Sequence, residues 1–153
     1  MIHVLCFGNE LHGDDGFGIH VGRALANRAA PDRARVFEVG TRGIDALALT
    51  EGCSRVVLVD ALRDSSDRPG TLRRLDAREL EPDCATLSHD APVAWLVRAM
   101  HSATPFPPAI TLIGAVSGGI RTFEPGLSAP VAACVPEATR RVLELIASDD
   151  GNG

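Results

Sequence analysis

The stretch Arg55-Val56-Val57-Leu58-Val59-Asp60 decides the fold. Four apolar residues in a row, three of them β-branched, read as a strand buried on both faces. A strand of that kind belongs inside a sheet covered by helices on both sides. Working outward, Ile2–Phe7 reads as a second buried strand, and residues 35–39, 71–75 and 110–115 as three more. Between them run helical patterns. Phe17, Val21, Ala24 and Leu25 share one helix face, and 44–50 forms a short helix that Gly52 ends. Val93, Leu96, Val97 and Met100 share another face, behind an Asp90 N-cap with Pro92 in the first turn. In the last helix Val131, Val135, Ala138, Val142, Leu145 and Ile146 are in register, and Pro136 is expected to kink it or split off its first turn. Strands alternating with helices predict an α/β protein: three layers, α/β/α, around a mainly parallel sheet. One domain over 1–147 and a frayed tail over 148–153 are expected.

Composition narrows the chemistry. The 153 residues carry a net charge of −5, which argues against nucleic acid as a partner. All 15 basic residues are Arg, so lysine chemistry and a P-loop lysine are excluded, and with no Tyr there is no phenol acid or base. Cys6, Cys53, Cys84 and Cys134 form no CxxC pair, which excludes a zinc ribbon or a thioredoxin-type site. No basic leader precedes the first strand, and the longest uncharged run is broken by Pro105, Pro107 and Pro108. A cytoplasmic protein with reduced thiols and no membrane segment is expected.

In open α/β sheets ligands bind beyond the carboxyl ends of the strands. After the first strand comes Gly8-Asn9-Glu10-Leu11-His12-Gly13-Asp14-Asp15-Gly16-Phe17-Gly18. It lacks GxGxxG spacing, and two adjacent carboxylates would repel a pyrophosphate, so a dinucleotide site is rejected. One of Asp14 and Asp15 can N-cap the first helix, but a helix has a single N-cap. Asp60 closes the central strand, and His89 precedes the Asp90-capped helix. Each alone has a plain reading, as a cap, a strand-end acceptor or a solvated loop residue. Together Asp15, Asp60 and His89 offer an O,O,N ligand set that suits Ni, Zn, Mn or Fe and leaves open positions. His12 is a weaker candidate, His3 and His20 look structural, and the cysteines have no paired base.

Gly8-Asn9 followed by Gly13-Asp14-Asp15-Gly16-Phe17-Gly18 resembles the N-terminal signature of the hydrogenase maturation proteases. Gly40-Thr41-Arg42-Gly43, Val57-Leu58-Val59-Asp60-Ala61, Pro69-Gly70-Thr71-Leu72, Ser88-His89 and Leu112-Ile113-Gly114-Ala115 follow in that family's order. The resemblance implies an endopeptidase, classed as aspartic-type, that removes the C-terminal extension of a [NiFe]-hydrogenase large-subunit precursor after nickel insertion. It implies that Asp15, Asp60 and His89 are both the catalytic and the nickel-binding residues, the nickel being carried by the precursor; other divalent ions can substitute in a crystal. It implies a cytoplasmic monomer. The chain departs from the family in Asp90, where members carry Gln, and in having Asp15 where some carry Glu. Two mechanisms stay open: nickel as a recognition element only, or a metal that also polarises the carbonyl or activates water, with Asp14 or Asp60 as base. The competing function is a non-catalytic nickel-binding maturation chaperone on the same fold.

Overall fold

Strand β3 (Arg55–Leu62) runs through the middle of a five-stranded sheet, and its Val56, Val57, Leu58 and Val59 are wholly buried. The computed structural model describes residues 1–29, 32–63, 66–80, 92–119 and 121–148, with Ile44 by its backbone only. The other strands are β1 (Ile2–Phe7), β2 (Ala34–Gly40), β4 (Leu72–Asp76) and β5 (Ala109–Val116). Their order is β2-β1-β3-β5-β4, with β4 alone antiparallel, on β5. The mainly parallel sheet is therefore as expected, and β4 supplies the exception at one edge.

Side-chain alternation along each strand divides the core in two. Val4, Cys6, Val57, Val59 and Ile113 face helices α1 (Phe17–Leu25) and α4 (Ala129–Ala147). Leu5, Phe7, Val56, Leu58 and Leu112 face the other way, toward the short α2 (Gly43–Ala46) and α3 (Pro92–Ala103). Both layers are the apolar helix faces predicted above. The helix expected over 44–50 is two pieces, α2 and a 3₁₀ turn Ala48–Thr50, closed where Gly52 takes φ 71°.

Two expectations change. Pro136 does not split the last helix, which runs unbroken from Ala129 to Ala147. Pro136 and Ala132 are both exposed, so water can take up the Ala132 carbonyl that a proline leaves without a donor. Val131 on one side of it and Ala138 and Val142 on the other stay fully buried and keep both halves packed on the sheet. Second, Asp60 does not end its strand. Ala61 and Leu62 continue the ladder opposite Ala115 and Val116, so Asp60 is enclosed by the sheet, with 9% of its surface exposed. The Asp90 cap, Cys84 and most of the tail from 148 to 153 lie outside the described residues.

Candidate active site at the carboxyl edge

The chain leaves β1 for β2 on one side and returns to β3 on the other, which makes the β1/β3 boundary the point where the winding reverses. Crevices form there because successive connections part to opposite faces. Two glycines bring the post-β1 loop down onto that boundary. A Cβ on Gly8, whose φ is 124°, would lie 1.8 Å from the Asp15 carbonyl oxygen. A Cβ on Gly18 would lie 2.1 Å from the Phe7 carbonyl oxygen and 2.6 Å from that of Val59. The glycine signature is thus a packing requirement: it seats the start of α1 directly on the ends of β1 and β3.

The 3₁₀ turn Gly13–Gly16 that results carries both acidic residues, and they do different things. Neither caps α1, whose N-cap is Gly16 without a side-chain bond. Asp14 is buried and accepts three hydrogen bonds: Oδ1 from the Ser128 N–H at 2.6 Å, Oδ2 from the Gly118 N–H at 2.8 Å and from the Ser128 hydroxyl at 2.9 Å. Ser128 is itself the N-cap of α4. Asp14 therefore ties the β5–α4 connection to the site loop, and its oxygens are too engaged to serve as the base considered above. Asp14→Ala strands two backbone donors, and Asp14→Asn must aim an NH₂ at one of them. Either change should cost on the order of 3 kcal/mol, given about 1–3 kcal/mol for each buried group left unpaired. That predicts a melting temperature lower by roughly 10 °C for a chain of this size, measurable by thermal unfolding. An unchanged value would mean the clamp contributes nothing.

Asp15 is half-buried and accepts the Asn9 N–H at 3.1 Å through Oδ2. Asp60 accepts the Ala61 N–H at 2.8 Å through Oδ1. Alternation along β3 puts Asp60 on the face of Leu58 and Leu62, the one covered by α3. Burial pushes its carboxyl up to about 7; the Ala61 N–H opposes this, the Asp15 charge adds to it, and Arg63 opposes it. The Asp15 charge thus acts on the Asp60 carboxyl, and a cation shared by the two would relieve both burial and repulsion. His89 lies outside the described residues, three positions before the start of α3. Pro92 abuts Gly43, just past the carboxyl end of β2, so α3 begins at the same edge as the carboxylates. Among the described residues no cluster of three or more His, Cys, Asp or Glu side chains is placed to hold a metal ion. Of the three expected ligands, Asp15 and Asp60 fall among the described residues.

The remaining candidates have other partners. His3 is buried, with Nδ1 2.6 Å from the Leu49 carbonyl oxygen. His12 meets Phe123 edge-on, and Glu10 pairs with Arg23 at 2.6 Å. Burial raises the thiols of Cys6 (to about 12), Cys53 and Cys134, the opposite of what a nucleophile needs. Replacing these cysteines with Ser or Ala should therefore leave turnover intact apart from packing losses at Cys6. Inactivation of the folded protein by an alkylating agent would contradict this. Ser128 and Gly118 carried no sequence signal, because their parts depend on contacts to Asp14, 114 and 104 residues away; Asn9 was visible only as part of the Gly8-Asn9 signature, not as a partner of Asp15.

On the far side of Asn9, which bonds Asp15, a groove of about 450 Å³ lies at the ends of β1 and β2. Gly8, Asn9, Glu38 and Gly40 line it, with Arg23 and Arg42 at its sides. No helix among the described residues is long and apolar enough to cross a membrane.

Comparison with known proteins matches this architecture. The hydrogenase maturation protease family model covers residues 19–145. The Escherichia coli hydrogenase 2 maturation protease is 29% identical over 148 residues, 93% of this chain and 88% of that protein. The solved structure of the hydrogenase maturating endopeptidase HybD from E. coli superposes with a TM-score of 0.85 at 27% identity, covering 97% of this chain and 93% of that one. The [NiFe] hydrogenase maturation protease HybD from Thermococcus kodakarensis gives 0.77 at 26% identity, covering 95% and 98%. A family match over most of the chain and agreement of the whole fold lead to one assignment: the chain belongs to the hydrogenase maturation protease family.

Proposed function

We propose that this protein removes the C-terminal extension of a [NiFe]-hydrogenase large-subunit precursor, and that Asp15, Asp60 and His89 take up the nickel the precursor already holds. The observation that carries the reading is the carboxylate pair at the β1/β3 boundary: Asp60 is buried next to the charge of Asp15 in a chain of the maturation protease family. A buried acid with a raised carboxyl favours receiving a cation over standing ionised alone. Two carboxylates and an imidazole leave a first-row ion with open positions, which the precursor's own ligands would fill. The groove along β1 and β2 offers an extended tail a seat next to that point.

With Asp14 committed to Gly118 and Ser128, Asp60 is the one left of the two carboxylates considered as base to accept a proton from an attacking water. An aspartic-type classification would then rest on Asp60 with Asp15 as its electrostatic neighbour. The chaperone alternative gains nothing from a family match to proteases. Incubating the purified protein with nickel-loaded precursor and weighing the product tests the reading. A mass loss equal to a C-terminal peptide is expected; binding without mass loss would favour the chaperone.

A further inference from the structure

Phe123 is the one non-glycine residue with positive φ, 58°, among the described residues, and 79% of its surface is exposed. Left-handed backbone is unfavourable for a bulky side chain, and an exposed phenyl gains no burial in return. The surroundings nevertheless hold it there. The Gly13 N–H bonds the Glu124 carbonyl at 2.9 Å, and the Glu124 N–H bonds the Arg121 carbonyl at 3.2 Å. Arg121 pairs with Glu124 at 3.4 Å, and Asp14 grips the connection at both Gly118 and Ser128. The His12 ring props the phenyl edge-on at 5.5 Å between centroids. Leu11, next to His12, is also exposed. Phe106 is equally bare, but it sits between α3 and β5 at the opposite, amino edge of the sheet and has no such backbone.

Position says what would cover Phe123. Across the sheet the order is β2-β1-β3-β5-β4. The polar groove lies at β2/β1, the carboxylates at β1/β3, and Phe123 on the connection that leaves β5. A chain cut at the carboxylates with its tail along the groove has its folded remainder on the β5 side. We infer that Phe123, propped by His12, is a metal-independent anchor for the folded body of the large-subunit precursor. The inference rests on the processing function proposed above. Phe123 makes no contact with the reacting atoms and acts by positioning the precursor.

The test measures binding and cleavage separately, with nickel-loaded and metal-free large-subunit precursor from the same genome. Phe123→Ala and Phe123→Gly should each weaken binding about tenfold or more, the effect of deleting an aromatic anchor. The factor should be the same for both precursor forms. KM for the loaded form should rise while kcat holds. Phe123→Gly, which suits positive φ, should melt no lower than wild type, so lost affinity is not lost fold. Phe106→Ala should change nothing. If wild type binds and cuts but both Phe123 variants match it, the anchor is wrong and the processing function stands. A loss confined to the nickel-loaded form would also overturn it, since the contact would then act through the metal. If wild type binds without cutting, the binding arm still decides the anchor. If wild type neither binds nor cuts, both ideas fall.

Discussion

Asp60→Asn should abolish processing and make the protein more stable at pH 8. The activity loss is expected to be roughly a thousandfold or more, since several kcal/mol of interaction with the metal disappears and each 1.36 kcal/mol is tenfold. Asp15→Ala and His89→Ala should fail likewise. The stability gain follows from burial, which raises the Asp60 carboxyl to about 7 from its ordinary 3.8. A raised acid contributes stability that is complete below the unfolded value and is lost as pH climbs to the folded one. Between about pH 4 and 7 the unfolded chain releases this proton while the folded protein keeps it. Above pH 7 the folded state carries a buried charge whose cost is on the order of 4 kcal/mol. Asn is never charged, and its carbonyl oxygen can still accept the Ala61 N–H. Its melting temperature should therefore exceed wild type by several degrees at pH 8 and match it near pH 4. A variant that melts lower at pH 8 would mean that Asp60 is ionised and well partnered in the folded protein.

That opposition of stability and activity bears on how much could be read before the structure. The strands and the helix faces were legible because burial on both sides of a parallel sheet imposes unbroken runs such as Val56 to Val59, and one-sided burial imposes the spacing of Val93, Leu96, Val97 and Met100. The carboxylates were legible for a different reason. Asp60 interrupts an apolar run, and Asp14-Asp15 stands where a helix start has use for one acid. What the sequence concealed was the division of labour. Asp14 and Asp15 are adjacent and chemically identical, yet one faces Ser128 and Gly118 and the other Asn9. Only the return of the chain after β5 distinguishes them. The left-handed backbone at Phe123 was hidden for the same reason, since the neighbouring Glu124 carbonyl accepts a hydrogen bond from the N–H of Gly13, 111 residues away. The end of β3 was misplaced by two residues because an acid in a strand normally marks exposure; here Ala115 and Val116 extend the ladder past it.

Cleavage should follow the nickel in the precursor and not nickel supplied to the protease. Among the described residues no group of three or more potential ligands is placed to hold a metal ion, and His89 completes three ligands in the proposed set. Three ligands leave a first-row ion with open positions, and in the proposed reading the precursor's own ligands fill them. In the proposed complex the ion is that bridge, and losing it removes the contact nearest the scissile bond, while an anchor such as Phe123 continues to act. Metal-free protease mixed with nickel-loaded precursor is therefore expected to cut. Nickel-soaked protease mixed with metal-free precursor is expected not to, even in excess. Mass spectrometry of the large subunit reads both mixtures directly. Cleavage in the second mixture alone would mean a resident catalytic metal and would sink recognition as the metal's role. Cleavage in both would mean that the carboxylates act on the peptide without any requirement for where the ion began.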